Sequence, residues 1–249
     1  MGPGLDGPSI GVGALPVIFI VFFIAVLAFI IGSVVYAVRS SRRRRDSIAA
    51  IVTTNGLSYV REDRSLVGAF DGDPFGTGLN RRARDVVGGN HAGRPFQSFA
   101  YSYDTESRDA NGSTSRVTHS FQVTWIPMTA VFPHVRITPD TGWLRALGSL
   151  AGHDLNTESA EFNARWRVRA HDERTAHAIL TGPMIERLMH DDVRDRAVIF
   201  QGARLMSFAP KATDLTELTM VVGMLQGVAA LVPPFVVADL GGPGGTPAN

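Results

Sequence analysis

Cysteine is absent from this 249-residue chain. Its absence excludes disulfide bonds, thiol nucleophiles and zinc sites built on cysteine thiolates. Lysine is almost absent as well, with Lys211 alone against 23 arginines. The sequence also lacks the Gly-Lys-Ser/Thr ending of a nucleotide-binding loop. The sequence therefore carries no motif that identifies a reaction.

Charged and amide side chains are absent from Ala14 to Val38, a run of 25 residues. At about 1.5 Å per residue, a helix of this length reaches roughly 38 Å, and the hydrocarbon core of a bilayer is about 30 Å thick. The run therefore predicts a transmembrane helix. No lysine or arginine precedes it, whereas five arginines follow it directly: Arg39, Arg42, Arg43, Arg44 and Arg45.

These arginines predict the orientation of the chain, because lysine and arginine beside a span favour the cytoplasmic side. We expect a single-pass protein of the cell membrane with its N-terminus outside, its C-terminal domain in the cytoplasm, and the arginines near lipid head groups. The predicted division is a short extracytoplasmic N-terminus (1–13), the span (14–38), a polybasic flank (39–45), a cytoplasmic α+β domain (46–240) and a flexible tail (241–249).

The charge balance of the domain bears on its partners. The net charge of the whole chain is +1, and five of its positive charges lie in the flank, so the remainder is slightly acidic. Affinity for a phosphate backbone is mainly electrostatic, so we expect no nucleic-acid partner. About 200 residues follow the span, which is enough for one domain with its own core.

The first half of the domain has β-strand patterns. Leu57–Arg61 and Leu66–Phe70 predict short strands or extended segments. Pro95–Asp104 and Arg116–Ile126 are rich in aromatic and β-branched residues and alternate in part between apolar and polar positions. Turn-forming residues at Asp109–Ser113 lie between them and predict an antiparallel hairpin.

Between these strands, Asp71–Gly93 is rich in glycine and predicts a turn-rich connection. Its Gly76-Thr77-Gly78 step is compatible with a backbone phosphate cradle. However, Arg81 stands where the dinucleotide fingerprint requires its third glycine, so we expect a connection rather than a nucleotide site. After the hairpin, Val131–Thr138 predicts a further strand.

Helix signals dominate the second half. Thr141–Leu150 predicts a short helix. Asp172 is placed to cap a helix over Glu173–Leu180, and Pro183 suits the first turn of a helix over Met184–His190. Two β patterns interrupt the helices: a half-buried strand at Glu161–Ala170, and a tight hairpin of Ala197–Gln201 and Arg204–Phe208 around Gly202.

Two further helices are predicted at the ends of the domain. Asp46–Thr54 has apolar residues at helical spacing and a stop at Asn55-Gly56. Asp214–Val232 is longer, begins with Asp214 and Glu217 as a capping pair, and ends at two prolines. We expect a long C-terminal core helix, and its apolarity leaves a second membrane segment as the alternative.

Several stretches resemble an uncharacterised family of actinobacterial single-pass membrane proteins. They are Pro74–Gly78, Gly93–Tyr103, Glu158–Val168, Asp172–Leu188 and Val232–Val236. The resemblance implies the single-span topology and the single domain. It implies no activity, because these stretches resemble folding determinants rather than a catalytic set.

Three histidine–aspartate pairs are the candidate catalytic feature: His153 with Asp154, His171 with Asp172, and His190 with Asp191. Imidazoles and carboxylates that converge can hold a divalent ion, which lowers the pKa of a bound water. Against this, aspartate at a helix start and histidine at a helix end are also structurally favoured.

We therefore expect a non-enzymatic protein-interaction or scaffolding domain at the inner membrane face, with no cofactor and with another protein as its partner. The alternative is a membrane-tethered metal-dependent hydrolase that uses the three histidine–aspartate pairs.

Overall fold

The computed structural model describes residues 56–108, 112–140, 153–210 and 217–241. The chain divides into two compact units, Met1–Ala50 and Ile51–Asn249, and every described residue belongs to the second. Several predicted segments lie outside the described residues. They are the membrane span, the arginine flank, the helices at Asp46–Thr54 and Thr141–Leu150, and the tail after Gly241.

The second unit has an α+β fold, as predicted. Its elements are β1 (Ser58–Glu62), a 3-10 turn (Arg64–Gly68), β2 (Leu79–His91), β3 (Arg94–Arg108), β4 (Thr114–Pro139), β5 (His153–Leu155), α1 (Ala160–Arg165), β6 (Trp166–Ala170), α2 (Glu173–Ile179), α3 (Gly182–Leu188), β7 (Ala197–Pro210), α4 (Leu218–Ala230) and α5 (Pro234–Gly241).

One antiparallel sheet of seven strands organises the unit, in the order β1-β2-β3-β4-β6-β5 with β7 also paired to β4. Strand β4 is 26 residues long and serves as its spine. Strand β7 pairs with Gln122–Pro127 and with Val135–Ile137 of β4. Strand β3 pairs with Thr114–Trp125 of β4 and β6 with Val135–Pro139, so both overlap the stretches that pair with β7. Because a strand has two edges, β3 and β6 share the edge opposite β7.

The predicted hairpin is confirmed, since β3 pairs with β4 from Arg108 opposite Thr114 to Gln97 opposite Trp125. Its aromatic side chains form the core. Phe99, Tyr101 and Tyr103 are buried together with Phe75 from the preceding loop. The hydroxyl of Tyr101 donates to the carbonyl oxygen of Phe75 at 2.8 Å, which joins the loop to the sheet.

Two expectations for the first half are wrong. Leu66–Phe70 is not a strand: a 3-10 turn runs from Arg64 to Gly68, because Asp63 accepts a hydrogen bond from the backbone of Ser65 and caps the turn. The connection expected at Asp71–Gly93 becomes strand β2 from Leu79 onward. Pairing with both β1 and β3 outweighs the low strand propensity of its glycines.

Two further strand boundaries differ from the prediction. Val131–Thr138 is the second part of β4 rather than a separate strand, with irregular register against β7 between Pro127 and Val135. Within Glu161–Ala170 the first residues form α1, and the strand is confined to β6. The side chain of Ser159 accepts a hydrogen bond from the backbone of Phe162, so a cap starts a helix where alternation predicted a strand.

The C-terminal part also differs in detail. Ala197–Pro210 is one strand rather than a hairpin, because both halves pair with β4 while Gly202, at φ 57°, allows the irregularity between them. Helix α4 starts after Glu217, whose side chain makes no capping bond, and Asp214 lies outside the described residues. Helix α4 ends at Ala230, just before the two prolines as predicted, and Pro234 begins the separate helix α5, which is bent by 83° from α4.

Candidate functional site

His171 follows the last residue of β6 and faces His134 on β4. The backbone N–H of His171 donates to the carbonyl oxygen of His134 at 3.0 Å, and the two ring centroids are 5.3 Å apart. Burial, helped by the nearby His171 and Arg136 and opposed by Asp71, lowers the pKa of His134 to about 4. His134 is therefore neutral at physiological pH, and its Nε2 has no hydrogen-bond partner among the described residues.

Asp172 has a structural role at the start of α2. Its carboxylate accepts hydrogen bonds from the backbone N–H groups of Arg174 and Thr175 at 3.2 and 3.3 Å, and from the hydroxyl of Thr175. These bonds use both carboxylate oxygens on donors that the first turn of a helix leaves without partners. The predicted cap is therefore confirmed, and it occupies the carboxylate that a metal site would need.

His190 and Asp191 lie just after α3. The side chain of Asp191 is 92% exposed, and its carboxylate is 3.7 Å from the guanidinium of Arg194. The next residue, Asp192, accepts two hydrogen bonds from Arg187 at 2.7 and 2.6 Å, and this contact lowers the pKa of Asp192. The exposed acid of this pair thus makes a weak surface contact, while its neighbour fixes the end of the helix.

His153 and Asp154 form most of β5, and their backbones lie opposite Ala170 and Arg169 of β6. Their side chains lie outside what the structure describes. Among the described residues, no group of three or more histidine, aspartate or glutamate side chains is arranged to hold a metal ion. The alternative hydrolase therefore has no metal-holding cluster in the described part of the chain.

The glycine-containing loop 69–78 is held by basic side chains from the sheet. Arg204 donates to the carbonyl oxygen of Ala69 at 2.9 Å and Arg81 to that of Phe75 at 3.2 Å, while Arg136 donates to that of Asp73. The hydroxyl of Thr77 donates to the carboxylate of Asp73. The threonine of the Gly76-Thr77-Gly78 step thus binds its own loop, in agreement with the expectation of a structural connection.

Arg136 on β4 is a buried charged residue that the sequence did not predict. It is only 4% exposed, and its guanidinium lies 5.4 Å from the centroid of the Phe208 ring. Burial lowers the pKa of Arg136 to about 10, so the group stays charged at neutral pH. No local pattern marks it, because an arginine in a strand is read as exposed unless its loop partner is known.

Two open clefts flank the helices. One, of about 340 Å³, lies between α1 and the end of α3 and has Trp166 and Leu188 in its floor and Arg165, Arg194 and Asp195 on its walls. The other, of about 640 Å³, is lined by polar residues before α1 and by the α2–α3 corner, including Glu158 and His177. The first combines apolar side chains with charges of both signs, whereas the second places the carboxylate of Glu158 among polar and apolar side chains.

The five flank arginines, Arg39, Arg42, Arg43, Arg44 and Arg45, lie outside the described residues. Within the described part, no single helix is long and apolar enough to cross a membrane. Helices α4 and α5 pass that test together, although they are bent by 83° at their junction. Six side chains of α4 are buried, so much of its apolarity is used in packing within the domain.

No protein-family model matches this chain, and no curated protein matches it. Among solved structures, the chain is similar to the crystal structure of the mycobacterial trehalose monomycolate transport factor A, TtfA, with a TM-score of 0.55 and 14% sequence identity. The similarity covers 77% of this chain and 96% of the TtfA chain. At this identity the likeness shows the fold alone.

Proposed function

We propose that this chain is a single-pass membrane protein whose α+β domain acts as a non-enzymatic protein-interaction or scaffolding module at the cytoplasmic face. The main support for the proposal is that several ionisable side chains of the domain make structural contacts. Asp172 caps a helix, Asp192 pairs with Arg187, and Arg136 holds a loop. These three charged side chains thus serve the fold, which favours a non-enzymatic role.

The Trp166 cleft, bounded by α1 and the end of α3, is the proposed docking site. Beside the buried Trp166 and Leu188, its lining residues Ala164 and Met189 offer accessible apolar area to a partner side chain. The charges on its walls, Arg165, Arg194 and Asp195, supply the polar rim that an interface carries around an apolar centre. A short segment of a partner protein with one apolar anchor and flanking charges fits this arrangement.

The orientation rests on the sequence. The apolar run Ala14–Val38 followed by five arginines favours a cytoplasmic domain. The structural neighbour is named a transport factor. By analogy, we propose that this chain is a non-catalytic factor that works beside other membrane proteins.

The proposal is tested by cross-linking and affinity capture of the full chain from its native membranes. We compare the wild type with Arg165→Glu and Arg194→Glu, which reverse charges on the walls of the cleft. The matched control is Arg61→Glu, an exposed arginine on β1. We expect a reproducible partner whose recovery falls about tenfold in the two cleft variants and is unchanged in the control, since unfavourable charges at an interface cost on the order of 1–2 kcal/mol.

Two results would count against the proposal. Failure of wild-type protein to capture any reproducible partner removes its basis. Equal capture by all variants places the interface elsewhere and rejects the cleft.

A further inference from the structure

Helices α4 and α5 expose an apolar surface to solvent. Leu218–Gly241 contains one charged residue, Asp239, in 24 positions. Packing accounts for the inward side, but Met220 and Phe235 are 44% and 58% exposed on the outside. In this fully described stretch, Thr219 and Asp239 are the only polar side chains that are exposed. A helix at the surface of a water-soluble domain normally carries polar residues on that side.

The junction of the two helices, which we call the elbow (Leu231–Phe235), satisfies several of its backbone groups within the chain. The N–H groups of Leu231 and Val232 donate to carbonyl oxygens of α4 at 3.1 and 3.4 Å. Pro233 and Pro234 have no N–H, and the carbonyl oxygen of Pro233 accepts from Val236 and Val237 at 3.0 and 3.3 Å. Unsatisfied backbone groups are the main cost of placing irregular chain in a bilayer, so this geometry reduces that cost.

From this geometry we infer that the elbow is a second membrane contact, in which Phe235 enters the boundary between head groups and hydrocarbon of the bilayer that holds the anchor. The inference rests on the proposed anchoring. Residues 39–55 separate the predicted span from the first described residue. Seventeen residues extend at most about 3.5 Å each, so the domain stays within roughly 60 Å of the bilayer.

The insertion is shallow. Asp239 lies one helical turn beyond Phe235, so its carboxylate stays among the head groups when the elbow enters first. The elbow offers only a small apolar area for binding to the bilayer. Tethering compensates for this, because the span already holds the domain at the membrane and the second contact is therefore intramolecular.

The absence of cysteine makes the test direct. The full-length protein carries one spin-labelled cysteine at a time and is placed in vesicles of phosphatidylethanolamine and phosphatidylglycerol. The collision rate of the spin label with apolar O₂ is then compared with its collision rate with a water-soluble nickel complex. Phe235→Cys is the test variant. Val60→Cys and Val117→Cys are matched controls, because these valines are each 51% exposed on strands. Val26→Cys reports on the predicted span itself.

We expect the ratio of O₂ to nickel collisions at position 235 to exceed that at positions 60 and 117 about fivefold, as for a residue below the head groups. Equal ratios at these three positions, with position 26 embedded, overturn the inference and leave the anchor intact. A water-exposed label at position 26 overturns the anchor. Spin–spin broadening at position 235 that vanishes on dilution with unlabelled protein shows that a second copy covers the elbow, which also overturns the inference.

Discussion

At the scale of single residues, position within an element decides what an ionisable side chain does. Asp172 and Asp191 both follow a histidine, yet one accepts hydrogen bonds from a helix start and the other faces water. The sequence predicts the role of Asp172, because an aspartate directly before a helical pattern is typical of a helix cap. The contact of His134 with His171 is not visible, because it depends on the register of β4 against β6.

Asp172→Ala is expected to lower the free energy of unfolding by about 1 kcal/mol, because the first turn of α2 loses its cap. Chemical denaturation of the full chain in detergent, followed by circular dichroism, measures the change. The control is Asp191→Ala, which removes an exposed contact and should change the stability by less than about 0.5 kcal/mol. Equal effects of the two changes would contradict the assigned cap.

His134 should make the stability depend on pH. The pKa of histidine in an unfolded chain is about 6.5, and burial lowers the pKa of His134 to about 4 in the folded state. Between these values the unfolded chain binds a proton that the folded chain does not, so the free energy of unfolding falls as the pH falls. The loss is at most about 3 kcal/mol, since one pKa unit corresponds to about 1.4 kcal/mol.

Denaturation profiles between pH 7 and pH 4 test this dependence. His134→Gln should flatten the profile, because glutamine does not titrate. His177→Gln removes an exposed imidazole and serves as the control. If the control flattens the profile as much as His134→Gln does, the dependence does not come from the buried ring.

At the scale of elements, local pattern predicted the strands that alternate and missed those that depend on neighbours. The β3–β4 hairpin has alternating aromatic residues and a turn between its strands, and these two features together were sufficient to predict it. Strand β2 contains glycines and arginines, and its strand conformation comes from pairing on both edges. Local sequence cannot report such pairing, which is also why β7 was divided into two.

Gly78, which ends the loop before β2, should be a determinant of this arrangement. It has a φ of 76°, and a Cβ there would lie 2.7 Å from the carbonyl oxygen of Asp104 and would clash with the ring of Tyr103. Gly93 has nearly the same φ, 78°, with nothing within 4 Å of its Cβ position. Both alanine variants therefore suffer backbone strain, but only Gly78→Ala also meets a steric clash.

Gly93→Ala is expected to destabilise the domain by about 1 kcal/mol, and Gly78→Ala by at least about 1 kcal/mol more. Thermal and chemical denaturation of the two variants in parallel measure this difference. A Gly78→Ala variant as stable as Gly93→Ala would show that the loop can move away from Tyr103 without cost.

At the scale of the whole molecule, the proposal is an α+β domain beside a membrane in which the histidine–aspartate pairs hold no metal. The fold class followed from the mixture of alternating and helical patterns. Convergence of the three pairs could not be predicted, because it depends on how distant elements pack. The described structure shows a helix cap and a surface contact at two of the pairs.

The most direct test of that assignment is a calorimetric titration of the full-length protein with Mn²⁺, from micromolar to millimolar concentrations. We expect no saturable binding, because Asp172 caps a helix and Asp191 lies exposed beside the guanidinium of Arg194. Saturable binding that His171→Ala or Asp172→Ala abolishes, in variants that remain folded, would contradict the account and favour the membrane-tethered hydrolase.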